Sequence, residues 1–166
     1  MLVMMDPRLE TKRAFILANR MTGGPFDSFS NFTSSLADWR AKVRQLPETE
    51  LDREICAQDS QRLDRYQRAS WKLDRVVLAQ CLVWPEMGEM TWAEGNVSDV
   101  AQQFNRREAA THRIRAMQQF SGVFATELPM VVVSKGATLQ IDDGSHRAVA
   151  MFLSSIRIAA AWVGTL

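Results

Sequence analysis

Six consecutive residues, Asp142-Asp143-Gly144-Ser145-His146-Arg147, gather the groups that phosphate chemistry uses. A helix opening directly after Gly144 presents first-turn N–H groups that have no intrahelical acceptor, and such a turn attracts anions, phosphates above all. Gly144 lets a ligand approach the backbone closely. Ser145 and His146 offer short polar groups, and Arg147 can grip phosphate oxygens with two parallel hydrogen bonds. Asp142 or Asp143 can hold Mg²⁺, a hard cation that takes oxygen ligands and keeps several waters. Alternation along a strand sends neighbouring side chains to opposite faces, so one aspartate of the pair is expected to face the site. Asp143, which adjoins the turn, is the choice. His146 can act as a general acid or base near neutral pH, or orient a phosphate. Asp143 and His146 are therefore the candidate catalytic residues. Each group also has a plainer role open to it. Either aspartate can cap the following helix, His146 can be a hydrogen-bonded core residue, and Arg147 can pair structurally with Asp143. Glu89 and Glu94 lie upstream as further acidic groups, with nothing to fix their geometry.

These residues need a scaffold, and the stretch around them reads as one. Met130–Ser134 is β-rich, Lys135-Gly136 is a hairpin turn, and Ala137–Ile141 returns as a second strand. The acidic corner Asp142–Gly144 follows, then a short helix from about Ser145 to Ser155, then a last strand over Ile156–Val163.

The rest of the chain reads as mostly helical. Asp6-Pro7 opens a first helix, Asp as the cap and Pro at the first helical position, and Gly23-Gly24-Pro25 stops it. Phe26, Phe29 and Phe32 belong to a loop that packs on the core. The Gly-Gly pair is a poor phosphate loop, because no Gly-Lys-Ser/Thr follows it. Leu36, Trp39, Val43 and Leu46 mark a second helix that Pro47 ends, and Pro47 opens a short third one. From Ser60 a longer helix is expected to reach Trp84, with Leu63, Tyr66, Leu73, Val77, Cys81 and Trp84 on one side. Its charged face (Arg62, Asp64, Arg65, Arg68, Lys72, Asp74, Arg75) reads as solvated and laced with pairs such as Asp64–Arg68, or as a docking surface for a protein partner or DNA backbone. Met90-Thr91-Trp92, between Gly88 and Gly95, suggests a short strand or an irregular entry to the α/β part. A helix is expected from Asp99 to about Phe120, and its basic side (Arg106, Arg107, His112, Arg113, Arg115) can contribute a phosphate contact or simply be solvated.

Composition sets the bounds. With 166 residues, 46% hydrophobic and 23% charged, the chain can bury a genuine core as one compact unit. It divides into a helical region over residues 1–85 and an α/β region over 86–166. Net charge is +2 in the first part and −1 in the second. No global basic field exists to hold nucleic acid by charge alone, so a DNA contact requires a local patch. Cys56 and Cys81, without a CxxC pattern and with only two histidines in the chain, argue against structural zinc and read as buried free thiols. No run of about 18 apolar residues suggests a membrane span. The start lacks the layout of a secretory signal. A cytoplasmic protein is expected, with peripheral association at the inner membrane left open.

The Asp143-Gly144-Ser145-His146-Arg147 box, between a hairpin and Ala148-Val149-Ala150, resembles the signature of the ParB/sulfiredoxin superfamily. The likeness covers about the last third of the chain. It implies an α+β fold, a small mixed sheet with helices preceded by the helical N-terminal region, and a nucleotide, ATP or another, bound with Mg²⁺ at Gly144–Arg147. Two departures narrow it. Sulfiredoxins carry cysteine where this chain has Ser145, so sulfinic-acid reduction is not expected, a hydroxyl being far less nucleophilic than a thiolate. Chromosome-partitioning members continue into a helix-turn-helix domain, whereas this sequence ends at Leu166, so recognition of a specific DNA site is not expected. Small stand-alone members are linked to ATPase and DNase activity and to suppression of plasmid or T-DNA transfer through a type IV secretion system. The partners this implies are a nucleotide, DNA and components of that machine. Two rival readings stand beside it: a non-catalytic inhibitor that keeps the fold and occupies a partner's surface, and a small-metabolite kinase of the same superfamily.

Overall fold

The computed structural model describes residues 5–22, 32–83, 86–87, 90–91, 95–104 and 111–166. Four helices come first: α1 (Pro7–Thr22), α2 (Phe32–Gln45), α3 (Glu48–Gln58) and α4 (Ser60–Arg68). Strand β1 (Ser70–Val77) follows, then a 3₁₀ turn (Leu78–Gln80) and the short strands β2 (Cys81–Val83), β3 (Glu86–Met87), β4 (Met90–Thr91) and β5 (Gly95–Asn96). The chain continues through α5 (Val97–Phe104), α6 (Thr111–Gln118) and α7 (Ser121–Thr126). It ends with β6 (Met130–Lys135), β7 (Thr138–Asp143), α8 (Ser145–Leu153) and β8 (Ile158–Thr165). The fold is α+β, with a six-stranded mixed sheet in the order β1-β8-β6-β7-β2-β5. No described helix is long and apolar enough to cross a membrane.

Local signals account for the first elements. The Asp6 carboxylate accepts the Arg8 N–H at 3.0 Å and caps α1. Phe15, Ile16 and Leu17 on α1 are buried, and charge clamps the helix to α3. Lys12, fully buried, places its Nζ 2.7 Å from Glu48 and 2.6 Å from Asp52, one turn apart on α3. α3 buries Leu51 and Ile55, which leaves Cys56 exposed on the outer side, where burial was expected. Cys81 is buried, and burial pushes its thiol up to about 11, so it stays protonated and unreactive.

The long helix expected over Ser60–Trp84 is corrected. α4 stops at Arg68, and residues 70–77 form β1, paired antiparallel with β8 along its whole length. The apolar spacing from Leu63 to Trp84 fits a helix, yet Trp71-Lys72-Leu73-Asp74 also alternates and Val76-Val77 is β-branched. Pairing with β8 decides between them. Trp71 lies over Gly164, whose missing Cβ would sit 2.6 Å from the indole, so a glycine in β8 makes room for the ring. Tyr66 packs edge-on against both Phe15 and Trp71, joining α1, α4 and β1. The sheet thus recruits two strands, β1 and β2, from ahead of residue 85.

The final third follows expectation closely: hairpin, corner, helix and strand occur in that order. Parallel pairing of β6 with β8 and antiparallel pairing with β7 bury Met130 to Val133 at the centre. A bulge opposite Val131 and Val132 leaves Asp142 as the extra residue of β7. The helix expected from Asp99 to Phe120 corresponds to α5 and α6, whose intervening residues lie outside those described. α5, α6 and α7 all pack on α8, and α7 also contacts β8.

Candidate functional site

β7 ends at Asp143, and Gly144 makes the corner with φ of 111°. A Cβ there would meet the Met130 side chain at 2.8 Å and the Arg147 guanidinium at 3.0 Å, so the turn requires glycine for both its angle and its space. Gly144 is the cap of α8 and supplies no side chain to the helix start. The first intrahelical bond runs from the Ala148 N–H to the Gly144 carbonyl at 2.8 Å, so the N–H groups of Ser145, His146 and Arg147 precede it.

The two aspartates part company here. Asp142 turns into α4. Its Oδ2 accepts from Arg62 Nε and from the Tyr66 hydroxyl, both at 2.8 Å, and its Oδ1 accepts from Arg65 at 2.7 Å. Burial, reinforced by the Asp142 carboxylate, pushes the Tyr66 phenol far above its ordinary range, so it remains a donor. Asp143 turns toward α8 instead, accepting from Arg147 at 2.9 Å. Burial raises the Asp143 carboxyl above its usual range, with the Arg147 guanidinium pulling the other way.

Arg147 is 2% exposed and committed internally. Besides Asp143 it donates to the Leu128 carbonyl at 2.7 Å, which ties the start of α8 to the chain entering β6. The plainer role considered for Arg147, a structural partner of Asp143, is therefore present in the geometry.

A polar cavity of about 230 Å³ opens at this corner. Asn19 and Thr22 from α1, Arg113 and Met117 from α6, and residues 143–147 line it. Arg113 donates to the Thr22 carbonyl, and burial lowers its pKa. It comes from the basic cluster noted on the expected helix; Arg115 is exposed, and Arg106, Arg107 and the His112 side chain lie outside the described residues, as do Glu89 and Glu94. His146 faces the same space. Burial, helped by the nearby Arg113 charge, pushes its imidazole down to about 4, so it is neutral at pH 7. A neutral imidazole can accept or donate a hydrogen bond there but is not a general acid at neutral pH.

That shift carries a stability consequence. The folded state favours neutral His146, so its contribution is complete above the unfolded value of 6.5 and is lost as pH falls toward about 4. Acid denaturation profiles should therefore differ between the wild type and His146→Gln. From pH 7 to pH 4 the wild type should lose on the order of 3 kcal/mol more than the variant. Equal losses in urea melts would show that His146 is not held neutral by the fold.

Sequence reasoning named the corner but missed its supports. Arg62, Arg65 and Tyr66 fit the pattern of a solvated amphipathic helix, and Asn19 and Thr22 carry no signal in the sequence. Among the described residues no group of three or more His, Cys, Asp or Glu gathers as a metal-binding set. Comparison of the chain with protein-family models, curated proteins and solved structures returns no match.

Proposed function

We propose that this protein binds a nucleotide through its phosphates at the β7–α8 corner. One observation carries the reading: the opening turn of α8, the neutral His146 and the Arg113 guanidinium converge on one polar cavity. Helix start and cation together favour an oxyanion. At about 230 Å³ the cavity suits phosphate groups, and a nucleoside would lie across its mouth, since drug-sized ligands occupy about 300–1,000 Å³. In this reading Arg113 is the phosphate-facing cation and Arg147 holds the corner in shape.

The finer reading rests on the resemblance of the Asp143–Arg147 box to the ParB/sulfiredoxin signature. The nucleotide is ATP or a relative, the activity is ATP hydrolysis with DNA cleavage beside it, and the role is suppression of plasmid or T-DNA transfer through a type IV secretion system. Both carboxylates of the corner are already engaged, Asp142 by three donors from α4 and Asp143 by Arg147, which does not suit a magnesium centre built on them. Mg²⁺ would arrive on the nucleotide's own phosphates. A non-catalytic inhibitor that keeps the fold is the second reading, and it is favoured by the internal pairing of Arg147.

Calorimetry with ATP and Mg²⁺ tests the first reading. The wild type should bind, and Arg113→Gln, once circular dichroism shows it folded, should bind at least about tenfold more weakly through loss of a charge-assisted contact. Failure of the wild type to bind ATP, CTP or GTP would leave the inhibitor reading.

A further inference from the structure

β1 is the outermost strand of the sheet, and among the described residues only β8 pairs with it. It carries Leu73 and Val77 at 53% and 41% exposure, apolar surface of the kind that invites a further strand. Which backbone groups are on offer can be read from two bonds. The Arg75 N–H donates to the Asp74 carboxylate at 2.8 Å, away from β8, whereas the Leu78 N–H reaches the Arg157 carbonyl at 2.9 Å on the β8 side. Backbone direction alternates along an antiparallel strand, so Trp71, Leu73 and Arg75 present their N–H and C=O groups outward, while the Val77 carbonyl accepts from the Cys81 thiol at 3.5 Å.

This parity restricts how a second copy can meet the edge. In an antiparallel pair related by a two-fold axis, outward groups must face outward groups, so the axis passes through a residue position. Centred on Lys72, Asp74 or Arg75, the pairing sets that charge against itself. Centred on Leu73, it sets Leu73 against its counterpart and places Lys72 of each copy opposite Asp74 of the other. Within Ser70–Val77 this is the only register that matches opposite charges. Lys72 and Asp74 then occupy the non-hydrogen-bonded positions, where side chains on facing strands come closest. In the single chain they already pair at 2.7 Å, with side chains 70% and 48% exposed, so both charges sit ready at the edge.

We propose that this protein self-associates through β1, edge to edge and antiparallel, in the register centred on Leu73. The occupant is a second copy of the chain, and the sheet continues from one copy into the other.

Sedimentation velocity of the full chain over a concentration series tests this. The wild type should show a reversible monomer–dimer equilibrium. Asp74→Lys, which brings four positive charges together at the seam, should weaken it by about tenfold or more. Combining it with Lys72→Asp swaps the charges and should restore the wild-type constant. Both positions are exposed, and circular dichroism checks beforehand that each variant is folded. A wild type that stays monomeric at every concentration overturns the proposal. So does a dimer indifferent to Asp74→Lys, or one that the charge swap fails to restore.

Discussion

Asp142→Ala should lower the unfolding free energy by about 3 kcal/mol, the lower end of the range for breaking a buried ion pair. The Asp142 side chain is 3% exposed and takes three donors from α4, two of them charged. Alanine would leave the Tyr66 hydroxyl, fully buried, without its acceptor. Arg62 and Arg65 would lose their shared counter-charge, although at 20% and 22% exposure they can recover some hydration, which keeps the expected cost from the top of the range. Urea melts give the number directly. Hydrogen exchange should show added opening in α4, because Asp142 is what joins Arg62, Arg65 and Tyr66 to the end of β7. A loss under about 1 kcal/mol would show that the cluster is surface decoration.

Arg147→Ala should cost about 3–5 kcal/mol. It removes the donor from the Leu128 carbonyl and strips the counter-charge from Asp143, both at the corner that starts α8. Arg147→Lys should recover only part, since an ammonium on a flexible stem lacks the planar fork that reaches both acceptors. The penalty should shrink in acid. Without Arg147 the folded state raises the Asp143 pKa further, so folding then favours the protonated carboxyl; the penalty is full above that raised value and falls as pH drops through it. Urea melts of both proteins at pH 7 and pH 4 check the sign. A penalty that grows in acid would contradict this account of the pair.

Arg147→Ala is therefore a poor probe of ligand binding, because it alters the corner itself. Arg113 reaches the same cavity from α6 and leaves the β7–α8 turn in place.

How far the fold was legible depended on the range of the forces involved. The hairpin, the Asp-Gly corner and the cap at Asp6 are local, and each rests on a residue whose backbone preference or short hydrogen bond acts within a few positions. β1 was hidden because its apolar residues satisfy a helical period as well as an alternating one, and the deciding partner, β8, lies some 90 positions away. Arg62 and Arg65 carry the same lesson. The neighbouring pair Asp64–Arg68 is solvated as expected, 66% and 60% exposed for Arg68 and Asp64, whereas Arg62 and Arg65 turn inward to a carboxylate on β7. Nothing in the local pattern distinguishes the two kinds of arginine. At the candidate site the box residues and the basic cluster that holds Arg113 stand out in the sequence, whereas Asn19 and Thr22 are brought there by packing alone.

The central claim is that phosphate groups sit at the start of α8. It is tested most directly by following backbone amide resonances during titration with ATP and Mg²⁺. The account predicts saturable shifts that are largest at Ser145, His146 and Arg147, with smaller ones at Arg113 and Thr22. Inorganic phosphate should reproduce the pattern more weakly. Saturable shifts centred elsewhere, or none up to millimolar nucleotide, would contradict it.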